Sequence, residues 1–421
     1  MTDVPPSFDV IVVGARCAGS PLAMLLARRG HRVLVVDRAS FPSDTVSTHF
    51  LHQSGLARLN AWGLLDRLRK TGVPPLRQML FVNGDLSVSG FADPIDGITE
   101  VYCPRRTVLD SLLVDAAREA GAEVIERFGV DDVLFDDDGR AVGIRGTTSD
   151  GVEREFRGRF VVGADGVNSV VAARVGAEAY RTVPATGFVY YSYFSGLDWD
   201  YQNRTRDERQ FASCWTHDDL MMVVVMRKRD AYREFRADVD AGFQGVIDHV
   251  APDLGADLRA RGRREEPFRA IHYADNYYRR SHGPGWALVG DAGYHKDPLT
   301  GYGITDAFVH AELLADALHL GLSGAEPIDE AVAGYARRRD RDSAGVFNLT
   351  VAMSELTLSP FLGAVLTAVS QSPGYRQKFF TMVGGGYPSE EFFAPHNLAA
   401  LYDEVGTPAA GRILPAGAGA P

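Results

Sequence analysis

Three separated segments hold the residues of this 421-residue chain whose types and spacing could do chemistry. The first is Gly14-Ala15-Arg16-Cys17-Ala18-Gly19, the second Gly163-Ala164-Asp165-Gly166, and the third Gly290-Asp291 followed by Pro298, Gly301, Gly303 and Ile304. A glycine turn that opens a helix presents unpaired backbone N–H groups and the positive end of the helix dipole, which together suit a phosphate. A carboxylate at a strand end accepts hydrogen bonds from the hydroxyls of a ribose or a polyol.

The elements around these segments set where they stand. Phe8 to Val13 reads as a buried parallel strand, Leu22 to Ala27 as a helix ended by Gly30, and Val33 to Val36 as a second strand that runs into Asp37 and Arg38. Asp37 lies 23 residues beyond Gly14, the spacing expected of a carboxylate on an adenosine ribose. Arg16 replaces the second glycine of G-x-G-x-x-G, so its guanidinium either turns outward or meets a phosphate. Trp286 to Val289 is another buried strand; it enters Gly290-Asp291, and a helix follows through Ala307, Leu314 and Leu318. Three returns to one extended dinucleotide point to FAD, held without a covalent bond.

The third segment resembles the class A flavoprotein monooxygenases, the family of p-hydroxybenzoate hydroxylase, whose motif reads G-D-A-[AG]-H and then P-x-x-G-x-G. The match covers Gly290, Asp291, Ala292, Pro298, Gly301 and Gly303, with Tyr294 in place of the usual histidine and Thr305 in place of an asparagine. Gly163 to Ser169 is similar to the family's "DG" motif, with Asp165 as its acid and Asn168 where arginine is common. The resemblance spans residues 7 to 345. His295-Lys296-Asp297-Pro298 matches an "HKDP" signature of bacterial FAD-dependent monooxygenases. By the resemblance, Arg106 at a helix start lies against the flavin diphosphate, with Arg105 as its rival, and Cys17 and Ala18 belong to the phosphate loop.

That likeness implies an α/β fold: a Rossmann-like FAD-binding domain, an inserted, mainly antiparallel β-sheet substrate domain, and a C-terminal helical region. The boundaries follow from the motifs. Residues 1–74, 103–179 and 281–345 form the discontinuous FAD domain, 75–102 and 180–280 the substrate sheet, 346–406 the helical region, and 407–421 a disordered, Ala-, Gly- and Pro-rich tail. The implied reaction uses NAD(P)H as a transient reductant and O2. A flavin C4a-hydroperoxide then hydroxylates or epoxidises an aromatic or polyketide-like small molecule. Two other reactions share the fold: C=C reduction of the geranylgeranyl reductase type, and halogenation. The W-x-W-x-I-P signature of tryptophan halogenases is absent from the sequence.

Composition agrees with a globular enzyme, at 45% hydrophobic and 24% charged residues. A formal net charge of −11 argues against nucleic acid and anionic membrane surfaces as partners. Cys17, Cys103 and Cys214 are too few and too scattered for a disulfide framework or a metal site. No apolar run reaches membrane-spanning length and no signal peptide opens the chain, so a cytoplasmic monomer or homodimer is expected.

Within the inserted region, Met79 to Val82 followed by Asn83-Gly84 signals a hairpin, and Asp200 to Arg209 reads as a polar loop. Alternation along Phe188 to Phe194 puts Tyr190 and Ser192 on one face. With Phe211 and Trp215 they are candidates for the wall that holds a planar substrate, although such rings also serve as core. No general base is evident. His49, His52 and His295 are the catalytic candidates. Lys296, one of only four lysines, is either a flavin-side cation or a solvated turn residue, and Arg337-Arg338-Arg339 reads as a solvated face of a long helix over 329–354.

Overall fold

The computed structural model describes residues 8–76, 78–272, 274–408 and 411–414. Strands Trp286–Leu288, Glu153–Gly163, Phe8–Val13, Val33–Val36 and Glu123–Ile125 lie side by side in that order, all parallel. Their inner stretches are buried on both faces, which is why they read as unbroken apolar runs. Helices Gly19–Arg28, Arg106–Glu119 and Gly303–Leu322 cover one face. The antiparallel pair Phe128–Phe135 and Ala141–Thr148 covers the other through Phe128, Val133 and Ile144.

This order brings the three glycine segments to one edge, outside the carboxyl ends of adjacent strands, where open α/β sheets bind ligands. The Gly14 N–H donates to the Val36 carbonyl (2.8 Å), Ala164 N–H to Val13 (2.7 Å) and Val289 N–H to Gly163 (2.9 Å). Backbone packs on backbone here. A Cβ on Gly14 would stand 2.4 Å from the Ala164 carbonyl oxygen, and one on Gly19 1.8 Å from that of Gly14.

A second, mainly antiparallel sheet runs in the order Arg263–Arg264, Gly187–Ser195, Met221–Lys228, Arg209–Trp215, Gln202–Arg206, Met79–Asn83 and Leu86–Gly90. Its inner face, with Val189, Tyr191, Tyr193, Met222, Val224 and Met226, packs against C-terminal helices that include Pro360–Gln371 and Pro373–Val383. Helices Tyr232–Ala237, Val239–Val250 and Pro252–Arg261 close the outer face on Phe188, Tyr190 and Phe211. A small third sheet joins Ala179–Val183, Asn276–Arg279 and Tyr294–His295.

Three expectations change. The polar stretch 200–209 is not a loop: Gln202–Arg206 is a strand paired with Arg209–Trp215, and its Gln202, Asn203 and Thr205 are buried. Residues 232–261 are helical, not β. The long helix runs Ile328–Met353, and its Arg339 is 1% exposed rather than solvated, donating to the carbonyls of Gly293 (3.0 Å) and Arg279 (3.3 Å) and pairing with Asp340. Of the expected tail, residues 409, 410 and 415–421 lie outside the described residues, while Arg412 pairs with Asp403 and the Tyr402 hydroxyl donates to the Ile413 carbonyl.

Candidate functional site

The first turn is tied down by charge. One Asp37 oxygen accepts from the Ala15 N–H (2.7 Å) and the other from Ala39 (2.8 Å), while Arg38 stays exposed at the rim. Arg16 turns inward to Asp110 (2.5 Å) and Ser43 Oγ (2.9 Å). Arg106 reaches the same Asp110 through Nη2 (2.9 and 3.0 Å) and Nε (3.1 Å), and the Cys17 thiol donates to it (3.3 Å). Burial pushes the Cys17 thiol far up, which makes it an inert packing group. Arg105 leaves the loop: it stacks 4.0 Å over the Tyr193 ring and pairs with Glu266. Arg106 is therefore the arginine beside the first glycine turn. Asp110, fully buried and shared by two guanidiniums, was missed by sequence reasoning, although its i,i+4 spacing from Arg106 at a helix start was a usable signal.

The third segment forms a tight turn, with Gly290 and Gly301 at φ +61° and +68°. Tyr277 donates its hydroxyl proton to the Asp291 carbonyl, and Arg339 holds that of Gly293. The Asp291 side chain is 47% exposed, with His295 Nδ1 3.4 Å away. Helices Gly19–Arg28 and Gly303–Leu322, like Arg106–Glu119 and Ile328–Met353, start without a side-chain cap. A Cβ on Gly303 would meet nothing within 4 Å. Open acceptors, uncapped N–H groups and a bare glycine fit an FAD whose ribityl hydroxyls, pyrophosphate and flavin carbonyls need those partners. Asp165 does not join them. Its carboxylate accepts from Ser169 Oγ (2.5 Å) and from Val170 N–H (2.7 Å), so it holds the short helix Val170–Arg174.

Next to this cleft lies a cavity of about 140 Å³. Phe50, Met79, Phe81, Met222, Leu349 and Phe379 exemplify its apolar wall, and Pro298, Thr300 and Gly301 form its border with the cleft. Gln210, whose Nε2 donates to Asn203 Oδ1 (2.8 Å), makes a polar strip on the sheet side.

The histidines do not converge on one point. His52 lines the cavity, donates from Nε2 to the Thr300 carbonyl (2.8 Å) and lies tilted by 30° against Tyr302 with ring centroids 4.2 Å apart. Burial lowers its pKa to about 4, so it is neutral near pH 7. His49 holds a left-handed φ of +60°, pairs with the Tyr193 hydroxyl and is kept neutral by burial and by Arg106 and Arg105. His295 stands beside Asp291. The four substrate candidates also need correction. Tyr190 packs on Phe235 (5.0 Å) and Phe211 on Trp199 (5.7 Å) in the outer core, Ser192 donates to the Glu266 carbonyl (2.6 Å), and Trp215 is half-buried at the edge of both cores. The sheet is buried on both faces, so alternation alone could not say which face the helices take. Tyr191 and Tyr193 are the rings turned to the cleft side, against Ser47 and His49.

Comparison with known proteins bears on the fold that carries these residues. The 1H-pyrrole-2-carbonyl-[peptidyl-carrier protein] brominase of Pseudoalteromonas luteoviolacea is 25% identical over 76% of this chain and 79% of its own length. Digeranylgeranylglycerophospholipid reductase 2 of Methanothermobacter thermautotrophicus is 28% identical over 75% and 79%. Other curated relatives are matched over 25–40% of their length. Among solved structures, the flavin-dependent brominase Bmp2 superposes with a TM-score of 0.81 at 19% identity, covering 94% of this chain and 99% of its own. PqsL, a probable FAD-dependent monooxygenase from Pseudomonas aeruginosa, gives 0.69 at 23%, covering 89% and 99%. The family model described as "FAD binding domain" matches residues 7–347, and the chain belongs to that family of FAD-dependent oxidoreductases.

Proposed function

We propose that the protein inserts one oxygen atom from O2 into an apolar aromatic or polyketide-like molecule, with NAD(P)H as a transient reductant. The observation that carries this is the shared border: Pro298, Thr300 and Gly301 line the cavity, while Gly303 opens the helix that faces the cleft. Bound FAD would supply hydride acceptance and oxygen activation. The chain's own residues do the rest. Asp291 would hold the ribityl hydroxyls, Asp37 the adenosine ribose, and Arg106 the diphosphate side. The apolar wall excludes water from the reacting edge, and neutral His52 fixes the Thr300 carbonyl without bringing charge to the cavity. Residues 1–74, 103–179 and 281–345 are proposed as the FAD domain and 75–102 with 180–280 as the substrate domain.

The same apolar wall suits a C=C reductase, the reading favoured by the archaeal reductase relative. Turnover under 18O2 decides. Oxygenation places one labelled atom in the product and the other in water, and it stops under nitrogen. Full-rate product formation without oxygen establishes the reductase instead, and a brominated product that requires bromide establishes a halogenase.

A further inference from the structure

Lys296 is a cation placed where no solvent reaches it. Its side chain is 3% exposed, its ammonium pairs with the Asp306 carboxylate, and the rings of Tyr294 and Tyr302 lie 4.8 and 5.6 Å from it. Asp306 is in the first turn of helix Gly303–Leu322 and is 15% exposed. A void of about 10 Å³, bounded by Gly290, Asp291, Tyr294, Lys296, Gly303 and Asp306, separates the pair from the turn and the glycine proposed to hold the flavin. The ion pair thus stands directly behind both halves of the third segment.

The charges there need balancing. A helix N-terminus carries about half a positive charge, which stabilises an anion in front of it. Asp306 in that first turn favours the helix but opposes the field, and Asp291 adds a second negative charge nearby. Of the other titratable groups around Lys296, burial holds His310 and His52 neutral, and His295 and Arg106 face Asp291 rather than Asp306, so none of them compensates Asp306. Tyr294 and Tyr302 are pushed up by burial and stay neutral as well.

We propose that Lys296 is a charge-compensating residue: it cancels Asp306 so that the start of helix Gly303–Leu322 keeps a positive field toward the flavin. This role rests on the FAD reading above. It separates the two needs of that helix, since the acid stabilises its first turn while the lysine removes the acid's effect on the cofactor.

The test uses the FAD-loaded protein and sulfite, which adds to oxidised flavin, bleaches its visible band and leaves an anionic flavin whose stability reports the local field. Lys296→Met should weaken sulfite affinity by about tenfold, the order of effect of removing one partly screened unit charge near the flavin. Asp306→Asn should tighten it. The double variant should return to within about threefold of the parent, because removing both charges restores the balance. Single variants that both weaken sulfite binding, with a double variant weaker still, would make the pair structural and overturn the proposal; so would unchanged affinities in all three. If Lys296→Met does not retain FAD, Lys296→Arg must keep the parent affinity and Asp306→Asn must still tighten it, and failure of either overturns the proposal. A parent protein that binds no flavin overturns the FAD reading instead, which keeps the two failures distinct.

Discussion

The nucleotide cleft and the apolar cavity share the Pro298–Gly301 border but are built in opposite ways. The cleft rests on a few contacts of fixed geometry: glycine backbone on glycine backbone, two carbonyls held by Arg339, and two arginines on Asp110. The cavity rests on many aliphatic and aromatic side chains drawn from the second sheet and the C-terminal helices. Polar contacts fail when one partner goes, whereas apolar walls of similar volume are interchangeable. A chain built this way can keep its cofactor while its cavity is reshaped, and relatives named for bromination and for lipid reduction are consistent with that freedom.

The sharpest way to break this contrast is Asp110→Ala. It leaves the guanidiniums of Arg106 and Arg16 without their shared acceptor, and losing one partner of a buried ion pair costs about 3–5 kcal/mol. Denaturant unfolding should show that loss; a variant within about 1 kcal/mol of the parent would mean that Asp110 does not hold the loop.

Asp297 probes the border itself. It is 3% exposed and accepts from the Leu299 N–H at 3.1 Å, and burial raises its pKa from 3.8 to about 6. The native state therefore holds this proton more tightly than the unfolded chain. Its contribution is complete below pH 4 and is lost as pH rises through 6, roughly 3 kcal/mol in all. Asp297→Asn should escape that loss, so its stability relative to the parent should climb between pH 4 and 7 and then level off. A flat difference would contradict the assignment.

Asp291→Ala should weaken FAD about tenfold to a hundredfold, the worth of a charge-assisted hydrogen bond, while the flavin-free protein keeps its stability because this side chain is half exposed. Equal FAD affinity in variant and parent would remove Asp291 from the cofactor site. On the cavity side, Met226→Leu should change stability by less than about 1.5 kcal/mol and leave FAD affinity alone, shifting only substrate KM. Loss of flavin from that variant would erase the distinction between the two regions.

The cleft was more legible in the sequence because its signals are local. Gly14, Gly19 and Asp37 sit in one strand–turn–helix–strand unit, and the glycines are demanded by close backbone approach. Asp110 escaped because its meaning depends on Arg16 and Cys17, about 93 residues earlier in the chain. The cavity was less legible because strand Gly187–Ser195 is buried on both faces, so Tyr190 and Tyr191 look alike until the helices over 232–261 take one side. Composition misled twice more. The strand Gln202–Arg206 is polar because its buried amides bond to a neighbouring strand, and Arg339 is buried because backbone carbonyls and Asp340 accept its hydrogen bonds.

The hydroxyl of Tyr302 donates to the Val383 carbonyl (2.6 Å), and the Ser54 N–H donates to the Gly384 carbonyl (3.2 Å). The end of helix Pro373–Val383, which helps close the cavity, is thereby fastened to Tyr302, next to the border between cavity and cleft. Local opening of that helix end must then break a contact that cofactor binding would rigidify. Backbone amides over 379–386 should exchange with solvent more slowly in the flavin-loaded protein than in the stripped one. Cofactor and substrate binding would thus be coupled through one helix end, each favouring the other.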